Sequence, residues 1–334
     1  MAVRVGMLSI AIAYFAIVCI GLGVYFQRKY GRGARDFAVA SMTLPWYLVA
    51  LGIVLGPFGC GHTINPAEAS WAWGIGPVWW PIVGGALSLM VAMTITGRWY
   101  RRLGVTTIAE AFEKIFDERA RVLTVATTIL GSICLASLEM YGTAAVMYGF
   151  TGLDLHICIF IALIFFILYV IFAGVMQMAV LNTINIIVYY VGVILALIGF
   201  TGFLAPIGGW DGLVGYIQQR VGDLALSIFN WKIIAGLSIP IAIGHLTYTS
   251  LIQGFMQPIL SAKEEREVVK GWPLVLLLNG SATFAWVIVG LIAASVPSSL
   301  YGDLAPTIES LRAQGAAVPT IILTILQAGF VGAT

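Results

Sequence analysis

Charge is what this sequence has least of. Only 10% of its 334 residues are Asp, Glu, Lys or Arg, and three are His. A soluble domain of this size must solvate a large surface, which a composition that is 60% hydrophobic cannot do. The net charge of +2 lacks the basic surplus of a nucleic-acid binder. Four cysteines (Cys19, Cys60, Cys134, Cys158) all lie in or beside apolar runs. They read as small buried hydrophobes, not as a disulfide framework. No HxxxH or CxxC spacing is present, so a clustered metal site is not indicated. The first apolar run lacks a small-residue cleavage site, which argues against a removable signal peptide.

What is present is apolar length. Runs fall near 6–26, 43–71, 75–97, 121–149, 155–173, 179–205, 232–258 and 272–297, and a further one begins near Ala317. Each of the complete runs can cross roughly 30 Å of hydrocarbon as a helix. The pattern is that of an all-α polytopic membrane protein. With the N-terminus outside, the cytoplasmic loops are 27–42, 98–121, 174–178 and 261–271. They hold Arg28, Lys29, Arg32 and Arg35; Arg98, Arg101, Arg102, Lys114, Arg119 and Arg121; and Lys263, Arg266 and Lys270. Only Arg4, Arg220, Lys232 and Arg312 remain on the other side. The outer loops 206–231 and 298–316 are expected to carry short interfacial helices.

Polar groups at membrane depth are costly and therefore informative. Glu139 sits in "CLASLEMYGTAAVM", near the middle of its run. It reads either as a packing element bonded to a neighbouring helix or as a carboxylate facing a water-filled cavity. There it would bind a cationic solute or an ion, or carry a proton. The run 43–71 interrupts itself at "GPFGCGHT", which sets Gly56, Pro57, Gly59 and Gly61 just before His62. The run 232–258 answers with "PIAIGHLTYT", where Pro240 and Gly244 precede His245. Each break frees backbone groups that lipid cannot satisfy. A packing kink is the plain alternative. Paired interrupted helices in two halves, however, mark the binding site of a transporter. A metal held by Cys60, His62 and His245 is the weaker alternative. Trp71, Trp73, Trp79 and Trp80 read mostly as an interfacial belt, with one or two free to close over the site by cation–π attraction.

Four stretches resemble the sodium:solute symporter family in order and spacing. They are "DFAVASMTLPWYLVALGIV" (36–54), "RRLGVTTIAEAFEKIF" (101–116), "FAGVMQMAVLNTINIIVYYVG" (172–192) and "LTYTSLIQGFMQPILSAKEEREVVKGW" (246–272). The resemblance implies the five-plus-five inverted-repeat (LeuT-like) fold. Residues 1–35 would be an extra N-terminal helix with its basic loop. Residues 36–231 would be the first repeat, core helices 1–5, with an outer loop. Residues 232–334 would be a partial second repeat: core helices 6, 7 and part of 8. The chain then reads as C-terminally shortened relative to the family, because the hydroxyls that complete the main sodium site would follow Thr334. The resemblance places backbone carbonyls of Leu55 and Phe58 in that ion site and His62 in contact with solute. It puts Tyr248 and Gln253 near the solute and gate positions. The chain departs from the family at Leu181, Asn182, Asn185, Ile252 and Pro258. Pro81 stands where sugar-carrying members place a binding glutamate, which argues against sugar.

The expected function is a secondary transporter. It moves a small nitrogen-containing solute (an amino acid, amine or methylated ammonium) by alternating access, coupled to Na+ or to H+ through Glu139. The solute site draws on His62, Glu139, His245, Tyr248 and Gln253. No organic cofactor, metal or nucleic-acid partner is implied, and an enzyme is not expected, since no catalytic pair is joined by a motif. A solute-sensing membrane input domain of the same fold is the alternative. The expected location is a prokaryotic cell membrane. The orientation is testable by single cysteines at Arg119 and Asp223 in a cysteine-free background. A membrane-impermeant maleimide added to intact cells should label the Asp223 position and spare the Arg119 position; the reverse labelling would invert the topology.

Overall fold

The computed structural model describes residue 9, residues 12–30, 39–56, 58–151, 153–172, 175–296 and residue 313. The described residues are helical apart from short connections, with one isolated parallel bridge between Leu44 and Ala262. Helix α1 covers residues 15–30 and starts as a π-helix over Phe15–Gly21. The second apolar run is two helices, α2 (Trp46–Leu55) and α3 (Cys60–Trp73). Next come α4 (Gly76–Leu103), the short α5 (Ile108–Ile115), α6 (Glu118–Thr151), α7 (Leu155–Phe172) and α8 (Val175–Gly202). The loop 206–231 carries α9 (Gly209–Val221), as expected. Then α10 (Trp231–Tyr248) and α11 (Gln253–Leu260) form a pair bent by 53°. The short α12 (Glu265–Lys270) precedes α13 (Trp272–Ser295). Apart from residue 313, the segments 298–316 and 317–334 lie outside the described residues.

Among the described residues, four helices are long and apolar enough to cross a membrane, or five if the bent pair is taken as one span. Helix α2, with 10 residues, is too short to cross alone. The lipid-facing surface follows from burial. Helix α6 leaves Val122, Leu123, Ile129, Leu130 and Ile133 exposed, a face that water would penalise and hydrocarbon does not. Cys134 lies on that face and is exposed, contrary to the buried reading of the cysteines; Cys158 is buried, and both are free thiols. Trp71 departs from the belt reading. It is buried in the core beside α13, with the Arg220 guanidinium 5.2 Å from its ring centre.

The basic loops 98–121 and 261–271 meet at one end of the bundle. Glu265 takes Arg98 at 2.5 Å and Arg102 at 2.8 Å. Arg101 donates to the carbonyls of Leu260 and Lys263. At the same end the start of α2 is tied to the end of α11. Leu44 N–H donates to Ser261 O at 3.0 Å, Lys263 N–H donates to Leu44 O at 2.9 Å, and Glu267 accepts the N–H of Trp46 at 2.9 Å. Helix α5 is set by a capping arrangement in "TTIAE". Thr107 Oγ1 accepts from Glu110 N–H, and Glu110 accepts from Thr106 N–H and Oγ1. Burial pushes the Glu110 carboxyl up, but the hydrogen bonds from Thr106 and the nearby Lys114 outweigh it and hold the group below its ordinary range.

Helix α13 packs along α3 with Gly290 at the crossing. A Cβ there would lie 2.1 Å from the Ala67 carbonyl oxygen and 2.2 Å from Ser70 Oγ. Backbone, not a flexible side-chain end, blocks the position. Gly290→Val should therefore destabilise the bundle by about 1–3 kcal/mol, the usual cost of overpacking. A melting curve in detergent that matches wild type would show that the two helices do not meet there.

Candidate functional site

The two helix breaks face each other. Between α2 and α3, the Leu55 carbonyl accepts from Phe58 N–H at 3.2 Å, and the Gly59 carbonyl accepts the Thr63 hydroxyl at 2.8 Å. Between α10 and α11, the Tyr248 carbonyl accepts from both Leu251 N–H (2.9 Å) and Ile252 N–H (3.0 Å). A carbonyl oxygen has two lone pairs, so Leu55 O keeps acceptor capacity beyond its turn bond. Close approach on the basic side of the breaks depends on Gly52 of α2 and on Gly56, which follows its last residue. Their missing side chains admit Pro258 and Phe255 of α11 to within contact distance.

His62 and His245 stack across the gap, with ring centres 5.9 Å apart and planes 29° apart. His62 is buried and His245 partly buried. The chain of rings continues both ways. His245 meets Tyr248 edge-on at 5.0 Å, and Tyr248 meets Phe255 at 5.6 Å. On the other side Phe58 lies 6.5 Å from His62 and stacks on Tyr189 at 4.7 Å; the Tyr189 hydroxyl accepts from Trp286 Nε1–H at 2.9 Å. His245 Nδ1 lies 2.6 Å from the Gly84 carbonyl, within the π-helical stretch Trp80–Leu87 of α4. A carbonyl only accepts, so Nδ1 carries the hydrogen, and a neutral His245 presents Nε2 as an acceptor.

Glu139 comes from α6 to the first break. A Cβ on Gly59 would lie 1.7 Å from Glu139 Oε2, so the carboxylate rests directly on the glycine backbone. Gly59 is the N-cap of α3 and brings no side chain to it. A carboxylate at a helix N-terminus is favourable by about 0.3–1 kcal/mol, and more where it is partly buried. Tyr248 lies within electrostatic range of the same carboxylate. The structure thus brings His62, Glu139, His245 and Tyr248 together.

Gln253 stands apart from them. Its Oε1 accepts from Ile108 N–H at 2.9 Å, and its amide bonds Gln257, which ties α11 to α5 at the basic end. It lines a cavity of about 430 Å³ with Leu55, Gly56, Tyr169, Asn182 and Gln257. Leu55 reaches this cavity, and Phe58 turns into the ring cluster. The side chain of Cys60 is outside the described residues. Among the described residues no three His, Cys, Asp or Glu side chains are grouped to hold a metal. Two participants carry no signal when the apolar runs are read one at a time. Tyr189 and Trp286 reach the cluster from distant helices. Glu68, half-buried on α3, is an acid inside an apolar run, and the rule that singled out Glu139 applies to it equally.

The sodium:solute symporter family model matches residues 37–333. The chain belongs to that family. A sodium/glucose cotransporter of Vibrio parahaemolyticus is 23% identical over 90% of this chain and 59% of its own length. Sodium/glucose cotransporter 1 of Oryctolagus cuniculus is 23% identical over 97% of this chain and 53% of its own. An uncharacterised symporter, YidK, of Escherichia coli K12 is 24% identical over 91% and 54%. The chain therefore spans little more than half the length of these relatives. A solved structure of a Na+-coupled sialic acid symporter superimposes with a TM-score of 0.76 at 17% identity, over 96% of this chain and 70% of that one. The likeness establishes the fold: this sodium:solute symporter family member is an all-α, multi-pass membrane protein with the inverted-repeat transporter fold.

The contact between Gly59 and Glu139 can be tested by stability alone. Gly59→Ala should destabilise the protein by about 1–3 kcal/mol. Adding Glu139→Ala should recover part of that loss, because the clash is with this side chain. No recovery in the double variant would place the carboxylate elsewhere.

Proposed function

We propose that this protein is a Na+-coupled symporter of a small nitrogen-containing solute, working by alternating access around the paired breaks. The observation that carries the reading is the His62–His245 stack, which joins two interrupted helices at membrane depth. Broken helices are tolerated there where the freed backbone groups line a protein cavity, and that is where symporters bind solute and ion. His62, His245 and Tyr248 form the solute wall, with Glu139 as its acid. Leu55 and Phe58 contribute carbonyls to the ion, which travels as co-substrate. Gln253 acts at the basic end, where it holds α11 to α5 and lines the cavity. The family and its Na+-coupled members support sodium as the driving ion.

The solute class follows from chemistry at the site. Ring faces and a carboxylate suit an amine, an ammonium or an amino acid. Two relatives carry glucose in their names, so a sugar is the second reading. Against it, Pro81 occupies the position where the resemblance places a sugar-binding glutamate. Domain roles follow the sequence reading: 1–35 as an additional helix, 36–231 as the first repeat, and 232–334 as part of the second.

Binding of solute and Na+ stabilises one arrangement over another, and the two helix groups rock about the fixed site. Uptake into proteoliposomes should rise with an inward Na+ gradient for at least one amine or amino acid. His62→Ala should raise the half-saturating solute concentration while the protein still inserts and stays monodisperse. Uptake indifferent to the gradient across a panel of amines, amino acids and sugars would end the symport reading.

A further inference from the structure

The intervals that carry the two breaks and Glu139 hold carboxylates and no Lys or Arg. No Lys or Arg lies between Arg35 and Arg98, between Arg121 and Arg220, or between Lys232 and Lys263. Glu68 and Glu139 both fall within those intervals. Glu139 is placed where a charge has most effect. Its carboxylate rests on Gly59, at the N-terminal end of the 14-residue half-helix α3, whose N-cap has no side chain of its own.

In transporters built on broken helices, such an N-terminus points at the anionic group of the solute. First-turn amides and the helix dipole make it favourable to negative charge. Here the chain supplies that anion from α6. Around the same break stand the rings of Phe58, His62, His245 and Tyr248. A solute carboxylate would have to share the end of α3 with Glu139, and like charges brought together away from bulk water repel strongly. A solute ammonium instead meets a counter-charge and ring faces.

We infer that Glu139 sets the charge selectivity of the site, admitting ammonium compounds that carry no carboxylate and rejecting those that do. This narrows the nitrogen-containing solutes to amines and alkylated ammonium ions. It rests on the reading of the paired breaks as the solute site.

The test uses matched pairs, choline against glycine betaine and methylamine against glycine, each with the same kind of head and differing in a carboxylate. In proteoliposomes of the wild-type chain under an inward Na+ gradient, uptake of the carboxylate-free member should exceed that of its partner by about tenfold or more. Glu139→Gln keeps an oxygen acceptor at the end of α3 and removes the charge. It should slow choline uptake and bring the two members of each pair closer together. Wild-type protein that carries glycine betaine as well as choline overturns the inference, as does an active Glu139→Gln variant with an unchanged ratio. Should that variant fail to reach the membrane, the wild-type ratios decide alone. Gradient-driven uptake of sugars with none of either pair overturns the inference and leaves Na+ symport standing. No gradient-driven uptake of any solute would instead remove the symport reading beneath it.

Discussion

Backbone polar groups released in the middle of a membrane need partners, and lipid offers none. The rest of the structure is arranged around that constraint. Two helices interrupt themselves, one at Gly56–Gly59 and one at Thr249–Ile252. Neither break is tolerable alone in hydrocarbon. Each is covered by the other and by α4, α6, α8 and α13. Turn bonds satisfy some of the freed groups, as Phe58 N–H does for Leu55 O and as Leu251 and Ile252 do for Tyr248 O. Glu139 settles against the exposed start of α3. What remains is acceptor capacity and ring surface around the two breaks.

The same constraint explains where the chain is stiff and where it is interrupted. The halves of the broken helices on the basic side, α2 and α11, touch through Gly52, Gly56, Phe255 and Pro258, and are fastened at their far ends through Leu44, Trp46, Ser261, Lys263 and Glu267. They are held as one unit. Helix α5 bridges that unit to α6, through Gln253 on one side and its own packing on the other. At the opposite end the loop 206–231 folds onto the start of α4, where Ile75 N–H donates to Ala225 O at 2.8 Å. The π-helical stretch Trp80–Leu87 of α4 lies beside the site and presents the Gly84 carbonyl to His245.

Much of this is legible in the amino-acid sequence. Hydrophobic length places the spans, because a chain in lipid must be apolar for a full crossing. The cluster of glycine and proline locates the first break, at Gly56–Gly59; the second falls at Thr249–Ile252, beyond the Pro240–Thr247 stretch that reads as its site, because that stretch stays helical through Tyr248. Resemblance to the family names the fold. The paired Gly-His stretches around His62 and His245, each with a threonine close behind, point to sites that the fold stacks on each other. Less legible are the assignments of neighbours. Trp71 lies in a region that reads as a surface belt, yet it is buried under Arg220. Gln253 belongs by resemblance to the solute and gate region, yet its carbonyl is committed to α5.

The reason is the range over which each property acts. Spans, the first break and the distribution of charge along the chain are local, set by residues within one or two turns of each other, and the amino-acid sequence by itself determined them. The contact of Glu139 with Gly59 joins residues 80 positions apart, and the stack of His62 on His245 joins residues 183 apart. Such contacts depend on which helix faces packed together, at what crossing and with what offset. Side-chain volume and close glycine approach decide those only once the helices have met, so they belong to the tertiary structure.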